Sequence, residues 1–181
     1  MSFGKSVYAV IACVALAACD PPAELPPAST PIGEFRLAHV KVSANGTRWS
    51  DASRQLDQET VETVLTEAIR ERFDRYEGNR WYHLTIAVEE VLLAPAGIPV
   101  IASMKSGMVL RVAVWDDSKG EVLTDPPKEF TVVEPISGAT FIGSGLTRDE
   151  DQQILALSRH AARVIEDWLK SSEESPIELE S

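Results

Sequence analysis

The sequence predicts an α+β domain ordered β-α-β-β-β-α, with a four-stranded, mostly antiparallel sheet and two helices packed on one of its faces. Three observations carry this. Two segments repeat apolar residues every three and four positions, the signature of a one-sided helix. Four shorter segments are apolar in alternation, the signature of a half-buried strand. Each helix has a single apolar stripe, which one face of a sheet can cover. The other sheet face is then left wet or open to a partner.

The first strand spans Glu34 to Ala44. Phe35 and Leu37 share one parity, whereas Val40 and Val42 share the other. Either the strand is apolar on both faces, or it is bulged near His39. Asn45-Gly46 breaks it. Asp57 to Glu77 is the clearest helix, with a stripe of Val61, Val64, Leu65, Ala68, Ile69, Phe73 and Tyr76. Glu62, Glu67, Arg70, Glu71, Arg72, Asp74 and Arg75 occupy the remaining surface. Ser50, Asp51 or Ser53 could cap an earlier turn, and Gly78-Asn79 stops the helix.

Arg80 to Leu93 is a strand in which Tyr82, Leu84, Ile86 and Val88 alternate with Trp81, His83, Thr85 and Ala87. Met108 to Trp115 is another strand, and Asp116 to Gly120 is a tight reversal. A return strand begins at Glu121 to Thr124, breaks at Pro126-Pro127 and resumes from Lys128 to Glu134. Residues 136–146 are glycine-rich and loop-like. Thr147 and Glu150 have the spacing of a capping box, opening a helix to about Ser171. Its apolar face is Ile154, Leu157, Ala161, Val164, Ile165 and Trp168. The globular domain is therefore expected over 34–171, followed by an acidic, disordered tail over 172–181.

The N-terminus is organised differently. Lys5 supplies one positive charge, and Ser6 to Ala18 form an uncharged, mostly apolar run. It is shorter than the roughly 20 residues a spanning helix needs, so 1–18 reads as a cleaved signal peptide. The run ends in Leu16-Ala17-Ala18-Cys19, which resembles the lipobox of bacterial lipoproteins. That resemblance implies diacylglycerol on Cys19, cleavage before it, and a home in the cell envelope facing the periplasm. Asp20 resembles an inner-membrane retention signal of enteric bacteria; the choice between inner and outer membrane stays open. Two or more acyl chains give stable anchoring, at about 0.8 kcal/mol per buried CH2. Residues 19–33 then form a proline-rich linker able to reach roughly 40 Å from the bilayer.

The element order is similar to that of the lipopolysaccharide-assembly lipoprotein and of other envelope lipoprotein families. The anchor, the linker, the small α+β domain and the lack of catalytic signatures point to a scaffold or accessory subunit of an envelope assembly rather than an enzyme. Composition agrees. The net charge of −11 opposes binding to a phosphate backbone, so no nucleic-acid partner is expected. Cys13 leaves with the signal and Cys19 is modified, which leaves no cysteine for a disulfide or a thiolate metal site.

Candidate chemistry is sparse. His39, His83 and His160 fall on three elements without metal-ligand spacing, although His39 and His83 could approach across paired strands. Glu89 and Glu90, adjacent in a strand, are expected on opposite faces. Asp116-Asp117 lacks the glutamate of a calcium loop. Gly143-Ser144-Gly145 lacks a P-loop lysine. No catalytic residue, metal site or cofactor is expected. The uncharged stretch Val91 to Met104 is either a long hairpin with its ends in the core or an exposed apolar tip. In the second case Ile98, Val100, Ile101 and Met104 would contact a partner. Two other readings are a binding module for a lipid or apolar ligand between helices and sheet, and a hydrolase using one of the histidines.

Overall fold

The computed structural model describes residues 30–51, 53–95, 105–134 and 150–177. Its elements are β1 (Phe35–Ser43), β2 (Arg48–Trp49), α1 (Gln58–Phe73), β3 (Arg80–Leu92), β4 (Gly107–Asp116), β5 (Glu121–Val122), β6 (Lys128–Val133) and α2 (Glu150–Leu169). The fold is α+β, as the periodicities predict. The sheet has six strands, not four, because both outer lanes are interrupted. β1 and β2 both lie beside β3, in parallel, separated by the turn at Gly46, whose φ is +80°. β5 and β6 both lie beside β4, antiparallel, separated by Pro126-Pro127, which cannot donate to a ladder. β3 and β4 form the antiparallel centre.

The register of β1 resolves its mixed apolar pattern. Leu37 pairs with Tyr82 but His39 pairs with His83, so Ala38 is an extra residue against β3. A one-residue slip moves every later side chain to the opposite face. Here the bulge places Phe35, Leu37, Val40 and Val42 on the same side. On that side β3 contributes Tyr82, Leu84, Ile86 and Val88, and β4 contributes Leu110, Val112 and Val114, all buried. Each such aliphatic side chain contributes roughly 1.5–3 kcal/mol on burial.

Both helices cover this face. α1 packs against β1 and α2, and α2 packs against β6. α1 starts later than the earliest candidate caps. Asp57 is the N-cap, with the Thr60 amide donating to its Oδ1 at 2.8 Å. The helix buries Val61, Leu65, Ala68, Ile69 and Phe73. Phe35 stacks on Tyr82 with ring centroids 5.3 Å apart, and Phe73 meets Phe35 at 5.7 Å. At the far edge Phe130 and Trp168 meet edge to face at 5.3 Å. Of the acidic segment expected to be disordered, the described residues 172–177 pack on the domain through Ile177, which is buried. The Trp168 indole donates to the Glu174 carbonyl at 2.9 Å and Lys128 pairs with Glu174 at 3.0 Å, which holds the chain back on the domain. Among the described residues no helix is long and apolar enough to cross a membrane.

α1 ends at Phe73, before Gly78, so the glycine has a different purpose from stopping a helix. Its amide donates to the Phe35 carbonyl at 3.1 Å, and a Cβ at this position would overlap the backbone carbonyl of Glu34. Gly78 thus allows the entry to β3 to cross the start of β1 in close contact. We expect Gly78→Ala to destabilise the domain by about 2–3 kcal/mol, read as a lower urea midpoint. Gly46→Ala, which meets open space and only a positive φ, should cost about 1 kcal/mol.

Candidate functional site

The face of the sheet away from the helices is solvent-exposed, and its side chains follow from the strand register. One transverse row runs His39, His83, Trp115 and Val122 across β1, β3, β4 and β5. A neighbouring row pairs Arg36 with Trp81, beside which the Asp117 amide donates to the Trp81 carbonyl at 3.1 Å. Trp81, Trp115 and Val122 are 44%, 38% and 46% exposed. These side chains place exposed apolar surface on this face of the sheet. The Arg36 guanidinium sits 5.0 Å from the Trp81 ring centroid, which fixes the indole in place.

The bulge at Ala38 brings His39 and His83 together. Their rings are parallel within 3°, with centroids 5.1 Å apart and the two Nδ1 atoms 3.3 Å apart. The Nε2 of His83 lies 3.2 Å from Asp117 Oδ1. A carboxylate only accepts, so Nε2 carries the proton and donates it to Asp117. A neutral His83 ring then has a bare lone pair on Nδ1, directed at His39. His160 is far from this pair, half-buried on α2, where burial and the charge of Arg163 push its pKa down.

Asp117 is held by the turn before it. Asp116 is fully buried, and its Oδ1 accepts from the Ser118 amide at 2.9 Å, the Ser118 hydroxyl at 2.6 Å and the Lys119 amide at 3.2 Å. Its Oδ2 accepts from Arg80 at 2.5 Å. Burial raises the Asp116 pKa, but these bonds and the Arg80 charge outweigh it, so the net shift is downward. The expected hairpin reversal is present, and its buried acid is a turn anchor.

Glu89 and Glu90 correct the sequence reading. A second bulge, between Val88 and Glu90, leaves both glutamates on partly exposed positions between the buried Val88 and Val91. They do not face opposite sides as strict alternation requires. Arg111 pairs with Glu89 at 2.9 Å and Arg48 with Glu90 at 3.4 Å, so neither stands as a free acid or base.

The most perturbed acid is Glu166, a residue the periodicity of α2 did not single out. It is buried between the helices. Arg72 donates to it at 2.8 Å, Arg75 at 2.6 Å, the Tyr76 hydroxyl also donates, and Lys170 lies 3.5 Å away. Arg72 and Arg75 therefore face α2, not solvent. Burial pushes the Glu166 carboxyl up, but the bonds from Tyr76, Arg75 and Arg72 and the Lys170 charge together hold it down at about 2. Burial, and then the carboxylate, push the Tyr76 phenol well above its usual range. The donors come from the last turn of α1, from the segment directly after it and from α2 itself, and both carboxylate oxygens are used. The cluster is a clamp between helices.

Cys19, Ile98, Val100, Ile101 and Met104 all lie outside the described residues. Among the described residues no group of three or more His, Cys, Asp or Glu is placed to hold a metal ion.

No protein-family model matches the sequence, and no curated protein matches it. Three solved structures share part of its shape. A PelC dodecamer from Paraburkholderia phytofirmans is 14% identical with a TM-score of 0.38, covering 75% of this chain and 90% of the other. A protein from Xanthomonas campestris of the family DUF330 is 13% identical with a TM-score of 0.40, covering 80% and 87%. A candidate lipoprotein from Caulobacter crescentus is 13% identical with a TM-score of 0.38, covering 77% and 89%. At such identities and TM-scores the likeness carries no argument about role.

The clamp makes stability depend on pH with a defined sign. The folded pKa of Glu166, about 2, is below its ordinary value of 4.5. Its contribution is therefore complete above pH 4.5 and is lost as the pH falls toward 2. Removing one partner of a buried ion cluster costs about 3 kcal/mol or more. We expect Glu166→Gln to lower the urea midpoint at pH 7 and to remove part of the wild type's loss of stability between pH 4.5 and 2.

Proposed function

We propose that this protein is a lipid-anchored envelope protein, held to the membrane at Cys19, that scaffolds or assists a protein assembly without catalysing a reaction. The observation that carries this is the cluster of Trp81, Trp115 and Val122 on the open face of the sheet. Trp and Arg are enriched among the residues that dominate the energetics of protein interfaces; Trp buries a large area with only two side-chain torsions, and Arg offers a planar group that stacks on aromatic rings. Arg36 and Trp81 already form such a preorganised pair. The face also carries the Glu89–Arg111 and Glu90–Arg48 pairs, which suit a polar surround.

The N-terminal residues support the location. An apolar run, a lipobox-like Leu16-Ala17-Ala18-Cys19 and five prolines between Asp20 and Gly33 form a signal, an anchor and a spacer in order. The spacer lets the sheet face reach a partner away from the bilayer. Ile98, Val100, Ile101 and Met104 are further contacts in the same reading. Among the described residues, Phe35, Phe73, Tyr76 and Tyr82 fill the interval between helices and sheet at one end, where an apolar ligand would have to lie.

Two measurements test this reading. Metabolic labelling with palmitate should mark the wild type and not Cys19→Ser, and the variant should leave the membrane fraction. A photo-crosslinking residue in place of Trp115 should capture one defined envelope protein, and one in place of Arg163, exposed on α2, should not. Ile98→Asp with Ile101→Asp should weaken that capture. Equal capture from both faces, or none from Trp115, contradicts the assignment of the surface.

A further inference from the structure

We propose that His39 and His83 together form a binding site for a zinc-class transition-metal ion, with Asp117 as the outer partner that sets the tautomer of His83. The argument starts from the distance. Zinc–imidazole bonds of about 2.0–2.1 Å at the tetrahedral angle place two ligating nitrogens about 3.3 Å apart. The two Nδ1 atoms are 3.3 Å apart. Square-planar coordination brings neighbouring nitrogens closer, to about 2.8–2.9 Å, so the spacing favours a tetrahedral ion.

The chemistry of the ring nitrogens agrees. Imidazole binds metal only through an unprotonated nitrogen, and the other nitrogen of a ligating histidine commonly donates to a carboxylate. His83 meets both conditions: Nε2 donates to Asp117 at 3.2 Å, and Nδ1 is left bare. The two histidines lie at paired positions of adjacent strands, so their backbones are fixed by the ladder. Asp117 follows directly on the turn anchored by buried Asp116, so it too has a defined position. The two rings are parallel with their Nδ1 atoms in contact, so holding one ion requires the His39 ring, which is exposed, to turn until both lone pairs meet at one point. Water fills the two remaining positions, which keeps the ion exchangeable and open to a donor group from outside. Ion binding breaks no covalent bond. The Nδ1 proton that otherwise bridges the two rings moves to the outer nitrogen of His39 or to solvent.

Zinc titration of tag-free full-length protein in detergent, against a chromophoric chelator, tests the site. The expected result is one equivalent of saturable zinc. It should be lost in His39→Ala and in His83→Ala, weakened about 10-fold in Asp117→Asn, and unchanged in His160→Ala. Imidazole nitrogen NMR of the wild type gives an independent reading that needs no variant: zinc should shift the Nδ1 resonances of both His39 and His83. Zinc uptake that persists in the two alanine variants, or rings that ignore zinc, would overturn the proposal and leave the pair as a hydrogen bond between two imidazoles.

Discussion

The extra residue at Ala38 governs the rest of the molecule. Without it, the parallel pairing of β1 with β3 that begins at Phe35 and Leu37 would carry on in phase. Val40 and Val42 would then face water, and His39 would point into the core beside Leu84. With it, Val40 and Val42 join Phe35 and Leu37 on the buried face and one histidine leaves it. The same step that completes the core places His39 opposite His83. A local irregularity in an edge strand thus connects packing on one face with chemistry on the other, and bulges commonly have this effect of re-aiming a side chain.

The two faces have different energetic characters. The inner face is held by apolar area and by a cluster of aromatic rings around Phe35. Among the described residues its charged features are the Arg80–Asp116 pair at the β4 turn and the Glu166 clamp, in which α1 and α2 are joined by directional bonds in addition to side-chain packing. A second pair, Arg159 with Glu71 at 3.0 Å, lies nearer the surface, where screening makes it worth little. The outer face carries polar pairs and, among the described residues, four large apolar side chains that stay more than a third exposed: Trp81, Trp115, Val122 and Val133. A surface of that kind is stable in water only as a small patch, and it becomes favourable when a partner removes it from solvent.

Much of this architecture could be read from the chain alone, and particular residues show why. The strands at Tyr82–Val88 and Met108–Val114 and both helical stripes were visible because periodicity is a local property. The phase break between Leu37 and Val40 was visible for the same reason, although it fitted a strand apolar on both faces as well as the bulge that the register shows. What periodicity could not supply was pairing across long separations. His39 meets His83 only because β1 and β3 are parallel neighbours in one register. The interruption of both outer lanes, six strands in place of four, depends on which strand each fragment finds. Glu166 escaped notice because its three main donors lie about ninety positions earlier in the chain. Its place between Ile165 and Trp168, four residues after Ala162, was the available signal: a lone acid on an inward stripe. Arg72 and Arg75 escaped for the same reason, since nothing local distinguishes an arginine facing a buried carboxylate from one facing water.

The phase of β1 is therefore the point at which to test the whole account, and proton NMR contacts around His39 do so directly. The account predicts cross-peaks between the ring protons of His39 and His83, with Val40 methyls near Leu84. Cross-peaks from the His39 ring to the Leu84 methyls, with Ala38 beside His83, would show an unbulged strand and contradict it.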